Sequence, residues 1–317
     1  MQSKMILETR NGKTFSVGLE CLFFIVLFII VNSIQGIFVI IPMFIEIAKT
    51  NFIEMLASGQ VVFDDIYGMY ISLMSSPSVV IVMLYSFAVF IIGVVFYCKK
   101  IQKRSYISMG FVKEGAVSKY LVGMLLGAAM LVVIYAIFYI LGVAGSISYG
   151  GFDYFIPLFF FGFLIQSTAE EVLMRGYFMN SIAARSNIPL AVILNSAFFM
   201  ILHILNPGVT LISTANIFLI GLVFSVLFLL TENIWLVSGI HFFWNFASGC
   251  LLGSNVSGMQ TKSVLHIPLV GSDFLAGGDF GVEGSIVTTI VGIVFLAVLT
   301  VFYIKRERKS PGLLGND

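Results

Sequence analysis

Several stretches of this chain run without Asp, Glu, Lys or Arg for longer than one membrane crossing needs. One extends from Cys21 to Ile45, and a second, longer than any other, from Ser186 to Thr231. A crossing helix takes about 20 predominantly apolar residues. The second stretch is too long for one crossing, and Asn206-Pro207-Gly208 divides it with turn-forming residues. Composition agrees. Of 317 residues, 59% are hydrophobic and 10% are charged, against roughly 25% charged in an ordinary soluble domain. A soluble core with that composition leaves large apolar patches facing water, whereas lipid accepts them. The fold class is therefore all-α, a polytopic integral membrane helical bundle.

Apolar runs place about eight transmembrane helices, near 17–43, 78–98, 120–144, 154–178, 189–205, 211–230, 234–252 and 285–304. The positive-inside rule supports this count. With the N-terminus inside, all Lys and Arg except Lys49 and Lys262 fall on the cytoplasmic side, out of 17. They form clusters at 4–13, 99–119, 175–185 and 305–309. Both termini are then cytoplasmic, and the short loops point to a prokaryotic plasma membrane. The first apolar run exceeds a signal-peptide core in length and is expected to stay as the first span. Residues 46–77 read as an external connection with some surface helix, and 253–284 as a mobile Gly- and Ser-rich external loop. The whole of 1–317 reads as one membrane domain. Cys21, Cys98 and Cys250 lie in or beside apolar runs without CxxC spacing and read as packing residues. The net charge of +1 says nothing about partners, but no basic tract is long enough for nucleic acid, so none is expected as a partner.

Ionisable groups at bilayer depth are costly, so each one in a span is a candidate for function. The fourth span carries Glu170-Glu171-Val172-Leu173-Met174-Arg175, the fifth carries Phe199 to His203, and the seventh carries His241 to Asn245. Glu171 and Arg175 stand one helical turn apart and can pair, which neutralises both. Glu170 lies about 100° away around the axis and stays free for chemistry, with Gln166 one turn before it. His241 and Asn245 are again four apart and can address one point. His266, the third histidine, falls in the external loop and reads as ordinary. A packing role accounts for any one of these residues, but their combination in the same half of the chain is harder to explain that way.

The order EExxxR, FxxxH, HxxxN resembles the CAAX prenyl protease and bacteriocin-processing family, also called CPBP or Abi proteins. Arg175-Gly176 and Ile234-Trp235 followed by Gly239-Ile240-His241 are similar to the family's flanking pattern. The resemblance covers the catalytic-type helices at about 160–250. It implies an intramembrane endopeptidase acting on a membrane-associated or lipidated substrate, either a prenylated CAAX-type C-terminus or a leader- or bacteriocin-like peptide. By analogy Glu170 and His203 hold and activate a water. His241 and Asn245 donate to the oxyanion, and Glu171 and Arg175 support them from behind. This reading requires no cofactor. A zinc version remains open, with Glu170, His203 and His241 as ligands and one position free. The chain has no HExxH, no serine nucleophile turn in a span and no pair of membrane aspartates.

Two other functions fit less well. A non-catalytic binding or bacteriocin-immunity protein would use the polar cluster for packing or a pocket. A transporter would show an inverted repeat and broken midplane helices. The fifth span poses a geometric demand on the protease reading. His203 sits about 21 Å along the helix from Pro189, so it meets Glu170 and His241 only if that span starts deep or tilts. Substrate identity and oligomeric state leave no mark in the sequence.

Overall fold

A computed structural model describes residues 3–308; Lys309 of the last basic cluster lies outside the described residues. The chain begins with a short helix, α1 (Lys4–Arg10), followed by the first long one, α2 (Val17–Ala48). Two surface helices, α3 (Phe52–Ala57) and α4 (Phe63–Ser75), fill the first external connection, as its sequence suggests. Then come α5 (Pro77–Ile101), α6 (Ala116–Ile140), α7 (Phe155–Arg185), α8 (Ile188–Ile201), α9 (Leu211–Thr231), α10 (Ile234–Leu251) and α11 (Ile286–Arg308). Seven of these are long and apolar enough to cross a membrane, so this is a multi-pass helical membrane protein.

The exception is α8. A helix over 189–205 is the sequence expectation, but the observed one has 14 residues, about 21 Å at helical rise against a hydrocarbon core of about 30 Å. It nevertheless runs from one end of the bundle to the other. The loop after α6 pairs with the loop after α10 through two short antiparallel strands, β1 (Ser148–Tyr149) and β2 (Leu265–His266), with Ser148 opposite His266. Only an even number of traverses can separate those two loops, so α8 must count with α7, α9 and α10. Tyr70 in the middle of α4 donates to the Leu205 carbonyl just after α8 at 3.1 Å. At the opposite end, Ile234 N–H donates to the Gly110 carbonyl at 2.9 Å, and Arg306 donates to the Leu229 carbonyl at 3.0 Å. α1 packs over the last turns of α7, with Arg10 Nε donating to the Ala184 carbonyl at 3.2 Å.

Burial ranks the helices. Of its apolar window, 83% is buried in α10 against 22% in α2 and α11, so α10 is central and the other two face lipid. Glycines let α6 approach α10 closely. A Cβ on Gly123 would collide with the Leu236 carbonyl, and one on Gly127 would sit 2.8 Å from the Ile240 carbonyl. Small residues spaced this way allow backbone contact between membrane helices. The contact fixes the height of His241, the next residue along α10.

Wide π-helical turns interrupt two of the central helices. One covers Val172–Met179 in α7, directly after the paired glutamates, and the other Ala247–Leu251 in α10, two residues after Asn245. Such turns are rare and concentrate at functional sites. The loop 253–284 departs from the expected mobile connection. Phe280, Val282, Glu283 and Gly284 are buried, and the loop folds back on the helix ends. Its glycines serve close packing: Gly258, at φ +83°, leaves no room for a Cβ against the Pro207 carbonyl.

Candidate active site

Glu171 and Arg175 meet as their spacing predicts. Arg175 Nη1 donates to Glu171 Oε1 at 3.0 Å, and neither side chain has exposed surface. The guanidinium also donates to the Gly221 carbonyl at 3.1 Å and lies over the rings of Phe199 and Phe224, at 4.7 and 5.4 Å. A buried cation is thus matched by one anion, one carbonyl and two aromatic faces.

Glu170 makes no ion pair with Arg175, but it lies near the same imidazole as Glu171. His241 sits between both carboxylates. Its Nδ1 lies 2.8 Å from Glu171 Oε1, and its Nε2 lies 3.8 Å from Glu170 Oε2. A carboxylate only accepts, so Nδ1 carries the hydrogen toward Glu171, and the bond fixes the ring's orientation. Glu170 Oε1 accepts from Gln166 Nε2 at 2.6 Å, while Glu170 Oε2 has no hydrogen-bond partner. Gln166 in turn accepts from Asn245 Nδ2 at 3.1 Å. One chain of hydrogen bonds therefore runs Asn245–Gln166–Glu170 from α10 to α7. Gln166 stands one turn before Glu170, and in this chain it links the two motif helices.

His203 ends α8. Its Nδ1 lies 2.8 Å from the Phe199 carbonyl four residues back, so Nδ1 donates there and Nε2 is left for other partners. That bond takes a carbonyl from the helix ladder, and tight turns follow at His203 N–H to Met200 and Asn206 N–H to His203. The helix stops at the motif histidine for this reason.

Glu170, His203, His241 and Asn245 all line one cavity of about 530 Å³. Its other end runs between α2 and α5, where Phe28, Met83, Phe87 and Phe90 line it. The zinc alternative needs Glu170, His203 and His241 to converge as ligands. Among the described residues, no group of three or more His, Cys, Asp or Glu side chains is placed together to hold an ion.

Residues 152–247 match the family model described as type II CAAX prenyl endopeptidase, Rce1-like. All seven motif residues fall inside that match. Over these residues the chain is similar to that family. The resemblance read from the three motifs is to this same family, which implies a protease. No curated protein and no solved structure matches the chain. The matched segment spans α7 to α10 and supplies each of the cavity's histidines.

Other buried polar groups escape a reading by motif. Glu283, outside the matched segment, is 4% exposed and lines the same cavity. Arg104, expected among the loop charges, is 1% exposed. It donates to Thr9, Ser108, Ser181 and the Gly176 carbonyl, joining α1 and the connector after α5 to the end of α7. Glu20 is likewise buried and accepts from Gln102. An acid or base next to a polar loop looks solvated in sequence, and only the fold shows otherwise.

Proposed function

We propose that the protein is an intramembrane endopeptidase that hydrolyses a peptide bond in a membrane-associated substrate, such as a prenylated CAAX-type C-terminus or a leader- or bacteriocin-like peptide. One observation carries the reading: Glu170 Oε2, without a partner, faces His241 Nε2 across 3.8 Å in the wall of a cavity. That gap suits a bridging water. Glu170 takes a proton from this water as its oxygen bonds the scissile carbonyl carbon. His203, with Nδ1 held by Phe199, offers Nε2 to the same water. The carbonyl oxygen becomes an oxyanion that accepts hydrogen bonds from the Asn245 amide and from His241 in its imidazolium form, with Nδ1–H on Glu171. Glu170 then returns the proton to the leaving amine as the C–N bond breaks. The apolar arm of the cavity beside Phe28, Phe87 and Phe90 suits a lipid chain.

The test compares purified wild type and Glu170→Gln on quenched membrane peptides, including a farnesylated CAAX peptide, with and without a chelator. Wild type should cleave, the variant should lose on the order of 10²–10⁴ in rate, and the chelator should change nothing. A folded wild type that cleaves no peptide of a broad set would leave a binding or immunity protein as the better reading. Loss of activity on chelation, restored by zinc, would replace the metal-free mechanism.

A further inference from the structure

Glu283 lies just before α11 and outside every motif, yet its carboxylate touches both halves of the site. Trp244 Nε1 donates to Oε1 at 2.9 Å. Ser257 donates twice to Oε2, from its backbone N–H at 3.0 Å and from Oγ at 2.6 Å. Each contact leads to a different part of the site. Trp244 precedes Asn245 on α10, the helix of His241. The Ser257 carbonyl accepts from Asn206 Nδ2 at 3.1 Å, and the Asn206 N–H donates to the His203 carbonyl at 3.1 Å.

Two further features show that the arrangement is held in place. Ser257 has φ +48°, a left-handed conformation that non-glycine residues adopt at a cost, and both its donors end on Glu283. The Glu283 backbone is itself clamped, because Asn216 Nδ2 on α9 donates to the carbonyls of Glu283 and Ser285 at 2.7 and 2.9 Å. The side chain therefore reaches the site from a fixed base.

We infer that Glu283 is a positioning residue that sets the spacing between the His203 turn and the His241–Asn245 helix across the cavity. The inference rests on the proteolytic reading of Glu170 and His241. A buried carboxylate that accepts three hydrogen bonds from two elements holds them more rigidly than a neutral acceptor. Placement within an ångström is what positioned catalytic groups require.

The experiment uses the full chain in lipid nanodiscs with ¹⁵N-labelled histidine, assigning ring signals with His203→Gln and His241→Gln. Glu283→Gln should move the signals of both His203 and His241. Ser257→Ala should move His203 alone, and Trp244→Phe should move His241 alone. A general loss of stability does not produce that division. In the peptide assay Glu283→Gln should lower kcat on the order of 10- to 100-fold with KM within about twofold. The two milder variants carry the test if Glu283→Gln does not fold. Unmoved histidine signals, or wild-type kcat in folded Glu283→Gln, would overturn the inference. Moved signals in a protein whose wild type cleaves nothing would sink the proteolytic reading and leave the positioning intact.

Discussion

Arg175 has no exposed surface, and Glu171 is its one carboxylate partner within ion-pair distance among the described residues. Breaking such a pair from one side leaves an uncompensated buried charge and costs about 3–5 kcal/mol. Arg175→Met should therefore lower the thermal midpoint in detergent strongly, and Glu171→Gln combined with Arg175→Met should recover part of the loss. A double variant no more stable than Arg175→Met would mean that the guanidinium matters through Phe199 and Phe224 instead. Glu171→Gln alone weakens the bond that orients His241, so it should reduce cleavage by less than Glu170→Gln does. Equal losses in folded protein would remove the distinction between the two acids. The six polar motif residues are legible in sequence because charge and imidazole at bilayer depth cost too much to persist without a role. The finer arrangement is not. The 100° between Glu170 and Glu171 suggests separate surroundings, but one imidazole with two ring nitrogens serves both. Glu283 is invisible for the opposite reason: among glycines and serines, an acid looks like part of a wet loop.

At the scale of elements, the contact between α6 and α10 decides where His241 stands. Gly123→Ala inserts a methyl against the Leu236 carbonyl and the Gly239 backbone. Overpacking of that kind costs about 1–3 kcal/mol, and here it also pushes α10 away from α7. The expected result is a lower thermal midpoint together with reduced cleavage. Gly36→Ala on α2 is the matched control, since nothing lies within 4 Å of its added methyl. That change should be neutral or stabilising, by up to about 1 kcal/mol from helix propensity. Equal stability of the two variants would show that α6 and α10 can separate without penalty. The long helices are readable from their apolar runs, and α3 and α4 from the polar connection between them. The stop of α8 at Ile201, ahead of the turn at Asn206-Pro207-Gly208, is not, because apolar residues continue through Leu205, while the His203 side chain occupies the Phe199 carbonyl. The π turns are hidden as well, since apolar periodicity does not register one extra residue in a helix.

Across the whole molecule, contacts between loops sort the chain into two ends without reference to charge. Residues near Lys4, Gly110, Glu232 and Arg306 meet at one end, and residues near Tyr70, Ser148, Leu205 and His266 meet at the other. The basic residues follow the same division: Lys99, Lys100, Lys113 and Lys119 belong to the first end, and Lys262 to the second. Two independent criteria, backbone pairing and the positive-inside rule, thus agree on eight traverses although α8 is short. The agreement yields a topology prediction. Single cysteines at Lys113 and Lys262, in a chain with Cys21, Cys98 and Cys250 replaced by Ala or Ser, should label from opposite faces of the membrane. An impermeant thiol reagent added to intact cells should reach the Lys262 position and reach the Lys113 position only after lysis. Labelling of both positions from one face would mean that α8 turns back within the bilayer. The β1–β2 pairing and the Tyr70 contact with Leu205 could not then both exist, and the cavity that gathers Glu170, His203 and His241 would lose its common wall.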